Sequence, residues 1–255
     1  MLNGAGSKSI HTIVRESPGS KVGFSSQNIP ESSVAEARAR HSRGISGGKP
    51  LYEFATAGLE AALNSQVKVL DAGCGCGHFG RFLLERFSVC PDGMDVVEHD
   101  GFDRAAYASF TRADLNLFNG DSPNERYDIV FAIGLLEYIE NPRRLVRALG
   151  KVLRSGGLLV FTSPNPASLR NVTGLLLRGE FSAFRECSNP ASVTPLLACD
   201  ALRMVKEAGF SESEFRYSGQ GRVPGMRRLR WQTVLPGARG RWFSDDFRIG
   251  ARWKG

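Results

Sequence analysis

Glycines and one aspartate are closely spaced in the stretch VLDAGCGCGHFG, residues 69–80. Gly75, Gly77 and Gly80 form the G-x-G-x-x-G pattern of dinucleotide-binding loops. The same stretch carries a D-x-G-x-G-x-G pattern that begins at Asp71 and suits a different cofactor. In both patterns the small residues let the main chain approach a ligand, and the N-terminus of the following helix points its N–H groups at it. The glycines alone therefore leave both cofactors open.

The negative charge of Asp71 separates the two alternatives. A pyrophosphate on this loop would face that carboxylate, and two like charges about 4 Å apart cost on the order of 4 kcal/mol at an effective dielectric near 20. S-adenosylmethionine instead carries an ammonium and a sulfonium group, so an aspartate helps it directly or by holding the amide groups of the loop. Asp95, at the predicted end of the second strand, can bind both ribose hydroxyls of either cofactor.

Strands and helices alternate along most of the chain. The apolar spacing predicts an amphipathic helix from Leu51 and a helix after the glycine loop. Further helices are predicted at 102–110, 142–154 (capped by Asn141 and ended by Gly156 and Gly157) and 200–209 (capped by Asp200), and strands at 67–70, 91–97, 110–115, 127–133, 158–163, 213–218 and around 247–253. This order predicts an α/β fold with a mostly parallel sheet, which binds ligands beyond the carboxyl ends of its strands.

The two ends of the chain differ from its middle. Residues 1–48 are rich in Ser and Gly, with one short helical candidate at 31–41. We expect them to form a flexible arm that folds over a site, and residues 49–255 to form the domain, with substrate-facing insertions near 166–198 and 219–246.

Four successive segments carry a family resemblance. VLDAGCGCG, GMDVV, RADLN and YDIVFAIGLLEYIENPRRLVRALGKVLRSGGLLVFTSPN resemble, in order and spacing, the motifs of the class I S-adenosylmethionine-dependent methyltransferases. The resemblance covers about residues 67–165. It implies a Rossmann-like three-layer sandwich whose seven-stranded, mostly parallel sheet has an antiparallel last strand.

The resemblance also implies which residues bind S-adenosylmethionine. They are the loop residues Asp71, Gly73, Cys74, Gly75 and Gly77, then Asp95 for the ribose, Val96 against the adenine, Asp114 and Leu115 at the adenine edge, and Ala132 after the fourth strand. The family often has Leu-Glu-His where this chain has Leu136, Glu137 and Tyr138.

No residue is identified as catalytic from the sequence. Methyl transfer from a sulfonium depends mainly on alignment of the reacting atoms, and a base is needed chiefly for a hydroxyl acceptor. His78, Tyr138 and Asn165 lie on suitable loops, but solvating a helix turn, packing at a helix start and shaping a turn are the more frequent roles of such residues.

The basic charge is concentrated near the C-terminus. Nine Arg or Lys and two acidic residues lie between Gly219 and Gly255, so this segment holds the whole net charge of +7, together with all three tryptophans. Either it is a solvated basic surface, or it attracts an anionic substrate. We expect a small-molecule or glycan acceptor, with a phosphorylated one favoured by the second interpretation.

Other functions and partners are less favoured. The Asn/Asp-Pro-Pro-aromatic loop expected of base-flipping DNA methyltransferases is missing after the fourth strand, so nucleic acid is an unlikely partner, although RNA methylation stays an alternative. An NAD-dependent oxidoreductase that uses Gly75, Gly77 and Gly80 is another, and a methyltransferase-like binding protein without turnover is a third.

The remaining features point to a cytoplasmic protein. Five cysteines, an odd number, favour reduced thiols, and the Cys74-x-Cys76 spacing is too tight for a usual zinc half-site, so no metal is expected. The longest apolar run, 129–136, is far shorter than the ~18 residues of a membrane span. The oligomeric state is left open.

Overall fold

The computed structural model describes residues 31–42, 44, 47–121, 126–185, 191–226 and 228–255. Within them one sheet is formed by β1 (Val69–Ala72), β2 (Asp92–Asp95), β3 (Ser109–Arg112), β4 (Tyr127–Ile133), β5 (Leu153–Pro164), β6 (Phe210–Tyr217) and β7 (Asp246–Trp253). The strand order is β3-β2-β1-β4-β5-β7-β6, and β7 is antiparallel to both β5 and β6. The mostly parallel sheet with an antiparallel last strand is therefore confirmed.

Helices cover both faces of this sheet. The described helices are α1 (Glu31–Ser42), α2 (Lys49–Thr56), α3 (His78–Phe87), α4 (Pro142–Val152), α5 (Leu169–Arg178), α6 (Ala198–Glu207) and the short α7 (Trp231–Val234). Side chains of α2 and α3 form one buried cluster with the sheet, and those of α4 and α6 form another. The result is the expected three-layer sandwich.

The central strand β4 shows why its sequence is almost continuously apolar. Ile129, Phe131 and Ile133 pack into the cluster with α2 and α3. Val130 and Ala132, which point the other way, pack into the cluster with α4 and α6. A strand buried on both faces has no solvent-exposed side for polar residues.

Helix α4 begins as its sequence predicts. The Asn141 side chain accepts a hydrogen bond from the Arg144 main-chain N–H, and Pro142 occupies the first turn, where its missing N–H has no cost. The helix ends at Val152, and β5 begins at Leu153, which pairs with Tyr127. Gly156 and Gly157 therefore lie within β5, and the prediction that they end the helix is wrong.

Two further helix predictions are corrected by the structure. Residues 102–110 contain no α-helix but a 3-10 turn, Arg104–Ala106, followed by the start of β3 at Ser109. Between them Tyr107 points inward: its ring packs against Phe102 and its hydroxyl donates to Asp71. The helix predicted at 200–209 begins at Ala198, so Asp200 lies in its first turn and does not cap it.

The chain ends were predicted in part. The helical candidate near the N-terminus is confirmed as α1, whereas residues 1–30 of the proposed arm lie outside the described residues. The alternation around 247–253 is confirmed as β7, which pairs with β5 on one side and β6 on the other. The first strand begins at Val69, two residues later than predicted, which places Asp71 within it.

Candidate functional site

The strand order reverses between β1 and β4, where a parallel sheet opens a crevice at the carboxyl ends of its strands. A cavity of about 80 Å³ lies there, and we call it the inner cavity. Six of the ten predicted binding residues line it: Gly73, Gly75, Asp95, Val96, Asp114 and Leu115. They come from the ends of three neighbouring strands.

The glycine loop is held against the end of β2. The main-chain N–H groups of Gly73 and Cys74 donate to the Met94 carbonyl at 2.7 and 3.2 Å. Gly75 has a φ of +55°, and a Cβ atom there would lie 2.2 Å from the carbonyl oxygen of Gly44. Only glycine fits this conformation and this close main-chain contact.

Asp95 fixes the loop through its carboxylate. Its Oδ2 accepts the Gly75 N–H at 2.8 Å, and its Oδ1 accepts the Val96 N–H at 2.7 Å. Burial raises the pKa of Asp95, while the Gly75 N–H and the neighbouring His99 oppose the rise. A carboxylate has about four acceptor positions, so these hydrogen bonds leave acceptor capacity that a hydroxyl group of a ligand in the inner cavity can use.

Asp71 lies behind the loop. It is 1% exposed, and the Tyr107 hydroxyl, which accepts the Gly80 N–H, donates to its Oδ2 at 2.6 Å. Burial raises the pKa of Asp71 to about 7, the Tyr107 hydrogen bond opposes this, and Asp95 adds to it. Asp71 therefore carries less than a full charge at neutral pH, and its hydrogen bond to Tyr107 connects it to the Gly80 N–H in the first turn of α3.

Three more of the residues predicted to bind the cofactor do not line the inner cavity. Cys74 packs with Tyr107 and Ala106, Gly77 precedes α3, and Ala132 is completely buried within β4. Burial and the neighbouring Asp71 and Asp95 raise the pKa of the Cys74 thiol far above its ordinary value, so it is an inert thiol that supports the loop.

Asp114 presents an unsatisfied acceptor to the inner cavity. Its Oδ1 accepts the Asn116 N–H at 2.8 Å. Its Oδ2 is buried and has no hydrogen-bond partner among the described residues. Leu115 beside it is buried and gives an apolar surface. A buried acceptor without a partner points to a donor supplied by a ligand.

Helix α1 and Gly44 cover the inner cavity. The Gly44 carbonyl accepts the Cys76 N–H at 2.9 Å, and ion pairs from Glu36 to Arg112 and from Arg38 to Glu140 tie α1 to the domain. About 80 Å³ is well below the ~300–1,000 Å³ of small-molecule sites. The cover therefore takes up part of the space that a nucleoside ligand needs.

Several lining residues of the inner cavity were missed by sequence reasoning. They are Gly134, Leu135 and Ile139 after β4, His99 and Asn116 on neighbouring loops, and Ala35, Arg38, Ala39, Ser42 and Gly44 of the cover. The position after β4 was a signal that could have identified the first three. The contacts of α1 are tertiary, and its sequence shows no apolar stripe that would indicate them.

A second, larger cavity of about 860 Å³ adjoins the first, and we call it the outer cavity. Gly134 and Tyr138 line both cavities. Its charged lining residues are the arginines Arg170, Arg222, Arg228 and Arg230 and the acids Glu137, Asp245 and Asp246. Its volume fits a small-molecule ligand.

Two acids of the outer cavity have raised pKa values. Burial raises the pKa of Glu137 to about 8, with a smaller contribution from Asp246, and its Oε2 has no hydrogen-bond partner among the described residues. Burial, together with Asp245, raises the pKa of Asp246 to about 7. Both groups can exchange protons near neutral pH, which is the property required of a general base. From the sequence, Glu137 was expected only to pack or to cap a helix start.

The three residues considered as catalytic candidates from the sequence have different environments in the structure. His78 is exposed at the start of α3 and lines neither cavity. Asn165 is buried, and its side chain donates to the Arg241 and Ser244 carbonyls, which indicates a structural role. Tyr138 stands where the two cavities meet.

The basic C-terminal segment was interpreted either as a solvated surface or as a surface that attracts an anionic substrate, and its residues have different environments in the structure. Arg222, Arg228 and Arg230 line the outer cavity, as an anion-attracting surface requires. Arg248 is buried and donates to the Ala57 carbonyl, and Trp253 packs on Phe210. The other tryptophans pack on Phe243 and Arg241, so none of the three lines the outer cavity. Arg227 lies outside the described residues.

Other site types find little support in the described part of the chain. No group of three or more His, Cys, Asp or Glu residues there is placed to bind a metal. Cys74, Cys76, Cys90 and Cys199 form no disulfide within the described residues, and Cys187 lies outside them. Among the helices described, none is long and apolar enough to cross a membrane.

A family model described as a methyltransferase domain matches residues 45–210, which is more than half of the chain. The chain belongs to the class I S-adenosylmethionine-dependent methyltransferases. In this family S-adenosylmethionine is the cofactor, and the methyltransferase motifs expected from the sequence lie within the matched region.

Individual relatives are distant. The malonyl-[acyl-carrier protein] O-methyltransferase of Paenibacillus sp. (strain JDR-2) is 27% identical over 111 residues, 40% of this chain and 40% of that protein. The ubiquinone biosynthesis O-methyltransferase of Coxiella burnetii (strain Dugway 5J108-111) is 23% identical over 55% of this chain and 65% of that protein. The matches thus span about 40% to 65% of the length of these curated relatives.

The fold of this chain is also found in solved structures. A SAM-dependent methyltransferase from Archaeoglobus fulgidus superimposes with a TM-score of 0.56 at 17% sequence identity, covering 79% of this chain and 94% of the other. At this identity the likeness shows the fold alone.

The residues of the inner cavity fit S-adenosylmethionine. The unpartnered Oδ2 of Asp114 can accept the adenine amino group, and Leu115 offers an apolar surface beside it. The Asp95 carboxylate can accept the ribose hydroxyls, and the loop that carries Gly73 and Gly75 leaves room for the ligand near its main chain. The tight contact of Gly80 with Tyr107 accounts for the third glycine without a dinucleotide.

Proposed function

We propose that the methyltransferase transfers a methyl group from S-adenosylmethionine to a small-molecule or glycan acceptor bound in the outer cavity. The observation that carries this proposal is the pair of adjoining cavities, joined at Gly134 and Tyr138. One has the donor and acceptor groups for the cofactor, and the other has the volume and polarity for a substrate.

An oxygen atom is the acceptor that the outer cavity supports best. When bound, S-adenosylmethionine supplies a methyl group activated by its sulfonium. Glu137 lines the outer cavity, and its Oε2 has no partner among the described residues. With a pKa of about 8, the fraction of Glu137 that is ionised near neutral pH can take the proton that a hydroxyl acceptor releases. The Ser163 hydroxyl, also without a partner among the described residues, adds a polar contact. Both relatives described above are named O-methyltransferases.

Helix α1 and Gly44 serve in this proposal as a cover over the cofactor. They contact the glycine loop and reduce the inner cavity to about 80 Å³, so the cover must move outward before the cofactor binds. A closed cover then excludes water from the reaction, as methyl transfer requires.

Label transfer tests the proposed acceptor. The purified chain is incubated with S-adenosylmethionine carrying a tritiated methyl group and with separate small-molecule, glycan and RNA fractions of a cell extract. We expect label in the small-molecule or glycan fraction, because the volume of the outer cavity, about 860 Å³, is that of a small-molecule site. A heat-inactivated sample is the control. Label found in RNA alone would contradict the proposal and favour the RNA alternative.

A further inference from the structure

Arg170 is a cation with few partners. It lies in the first turn of α5, within the insertion after β5, and it lines the outer cavity. Its Nη2 makes one long hydrogen bond, 3.5 Å, to the Ser182 carbonyl, and it forms no ion pair within the described ranges. A guanidinium has five N–H donors, so one hydrogen bond to a described residue leaves donors that a ligand in the cavity can use.

Arg222 stands close to Arg170. Its Nε donates to Asp245 Oδ2 at 2.6 Å, and its main-chain N–H donates to Oδ1 of the same side chain at 3.2 Å, which orients the guanidinium. Burial lowers the pKa of Arg170, and the positive charge of Arg222 lowers it further, while Asp245 and Asp246 oppose the change. Both arginines stay charged, since arginine does not lose its proton in proteins.

The two arginines line two cavities at once. Besides the outer cavity, both face a neighbouring cavity of about 680 Å³, to which Arg178 and Arg185 also contribute. Arg185 is neutralised by Glu180. Arg178 has a hydrogen bond to the Ser182 hydroxyl and no carboxylate partner among the described residues.

The local charge is therefore unbalanced. Three arginines, Arg170 with the neighbouring Arg178 and Arg222, are accompanied by two acids, Asp245 and Asp246. Asp246 is partly protonated because its pKa is about 7. Between one and two positive charges are left in excess at neutral pH. A phosphoryl group carries about −1.5 to −2 charges at pH 7 and accepts paired N–H donors from arginine. A singly charged carboxylate would leave part of this excess positive charge without a counter-charge.

We propose that Arg170 and Arg222, with Arg178 nearby, form a subsite for a phosphoryl group of the methyl acceptor. This inference rests on the proposed function, because it assigns the outer cavity to the acceptor. It narrows the substrate class to phosphorylated molecules. From the sequence, this class was suggested only by the basic charge of the C-terminal segment. Arg170 lies outside that segment.

Calorimetric titration of the full chain with inorganic phosphate and with acetate, at low ionic strength and pH 7.5, tests the subsite. We expect phosphate to bind more tightly than acetate. Arg170→Gln should weaken phosphate binding by about 10-fold or more, because two charge-assisted hydrogen bonds are lost. Arg147→Gln removes the same charge from the exposed side of α4 and should leave phosphate binding unchanged.

Three results would overturn the proposal: no saturable phosphate binding, acetate binding as tightly as phosphate, or equal phosphate affinity in the Arg170→Gln and Arg147→Gln variants. Affinity for S-adenosylhomocysteine is measured on the same samples and should be equal in both variants. If any of these three results is found while S-adenosylhomocysteine still binds, the subsite alone is rejected. Absence of S-adenosylhomocysteine binding in the parent chain rejects the proposed function.

Discussion

Asp95→Ala is expected to weaken S-adenosylhomocysteine binding by about 1–3 kcal/mol, which corresponds to about 5- to 150-fold. The substitution removes the acceptors for the Gly75 and Val96 N–H groups at 2.8 and 2.7 Å, and with them the carboxylate that faces the ribose position. The glycine loop then loses its anchor at the wall of the inner cavity. Calorimetric titration of the parent and variant chains with S-adenosylhomocysteine measures the loss.

Asp92→Ala is the matched control for Asp95. It removes a carboxylate from the same strand, β2, but one whose partner is the Ser109 hydroxyl at the neighbouring strand β3. Its side chain is not among the residues that line the inner cavity. We expect its cofactor affinity to stay within about 2-fold of the parent. Equal losses in the two variants would mean that disturbance of β2, and not the lost ribose contact, weakens binding.

The free energy of unfolding is expected to fall as the pH rises from about 5 to 9, largely because of Glu137. The pKa of this carboxyl is about 8 in the folded chain and near 4.5 in the unfolded one, so the folded state holds the proton more tightly. Between these two values the folded state binds more protons than the unfolded state, and stability decreases with pH. Asp71 and Asp246, both with a pKa of about 7, contribute with the same sign.

Glu137→Gln should remove the largest part of this pH dependence. The amide has nearly the same shape and cannot ionise, so we expect the variant to gain about 2–4 kcal/mol relative to the parent at pH 8.5 and much less at pH 5.5. Urea denaturation at the two pH values measures both differences. Glu85→Gln, at an exposed position on α3, serves as the control. A Glu137→Gln chain with the parent's pH slope would show that this carboxyl is not buried in its neutral form.

The sheet could be predicted well because its signals are local. The strand β4 was located to the residue from its continuous apolar run, and β7 from its alternation. The Asn141 cap was recognisable because its donor, the Arg144 N–H, is three residues away. The helix expected at 102–110 failed because the Tyr107 hydroxyl bonds to Asp71, a contact that joins residues far apart in the sequence.

The candidate site could be predicted only where strand ends supply it. Asp95 ends one predicted strand and Asp114 lies near the end of the next, and the order of these strands is known from the family motifs. Their position at the carboxyl edge of the sheet was therefore predictable. The cover of the inner cavity was expected only in general terms, because α1 contacts it through Ala35 and Ala39, which form no conspicuous pattern. Arg170 was missed because its neighbour Arg222 approaches it only after the two insertions fold together.

The role of Asp71 changed most between sequence and structure. From its charge, it was expected to favour a cationic cofactor over a diphosphate. In the folded chain it is buried against Tyr107 with a pKa of about 7, so direct repulsion of a diphosphate is weaker than its full charge would give. Its hydrogen bond to Tyr107, whose hydroxyl accepts the Gly80 N–H, connects it to the start of α3.

The central claim for this chain is that the inner cavity binds S-adenosylmethionine and not a nicotinamide dinucleotide. Parallel calorimetric titrations of the full chain with S-adenosylhomocysteine and with NADH test it directly. We expect saturable binding of S-adenosylhomocysteine, through Asp95 and Asp114, and at least about 10-fold weaker binding of NADH. Tighter binding of NADH, or no binding of S-adenosylhomocysteine at millimolar concentration, would contradict the assignment of this cavity.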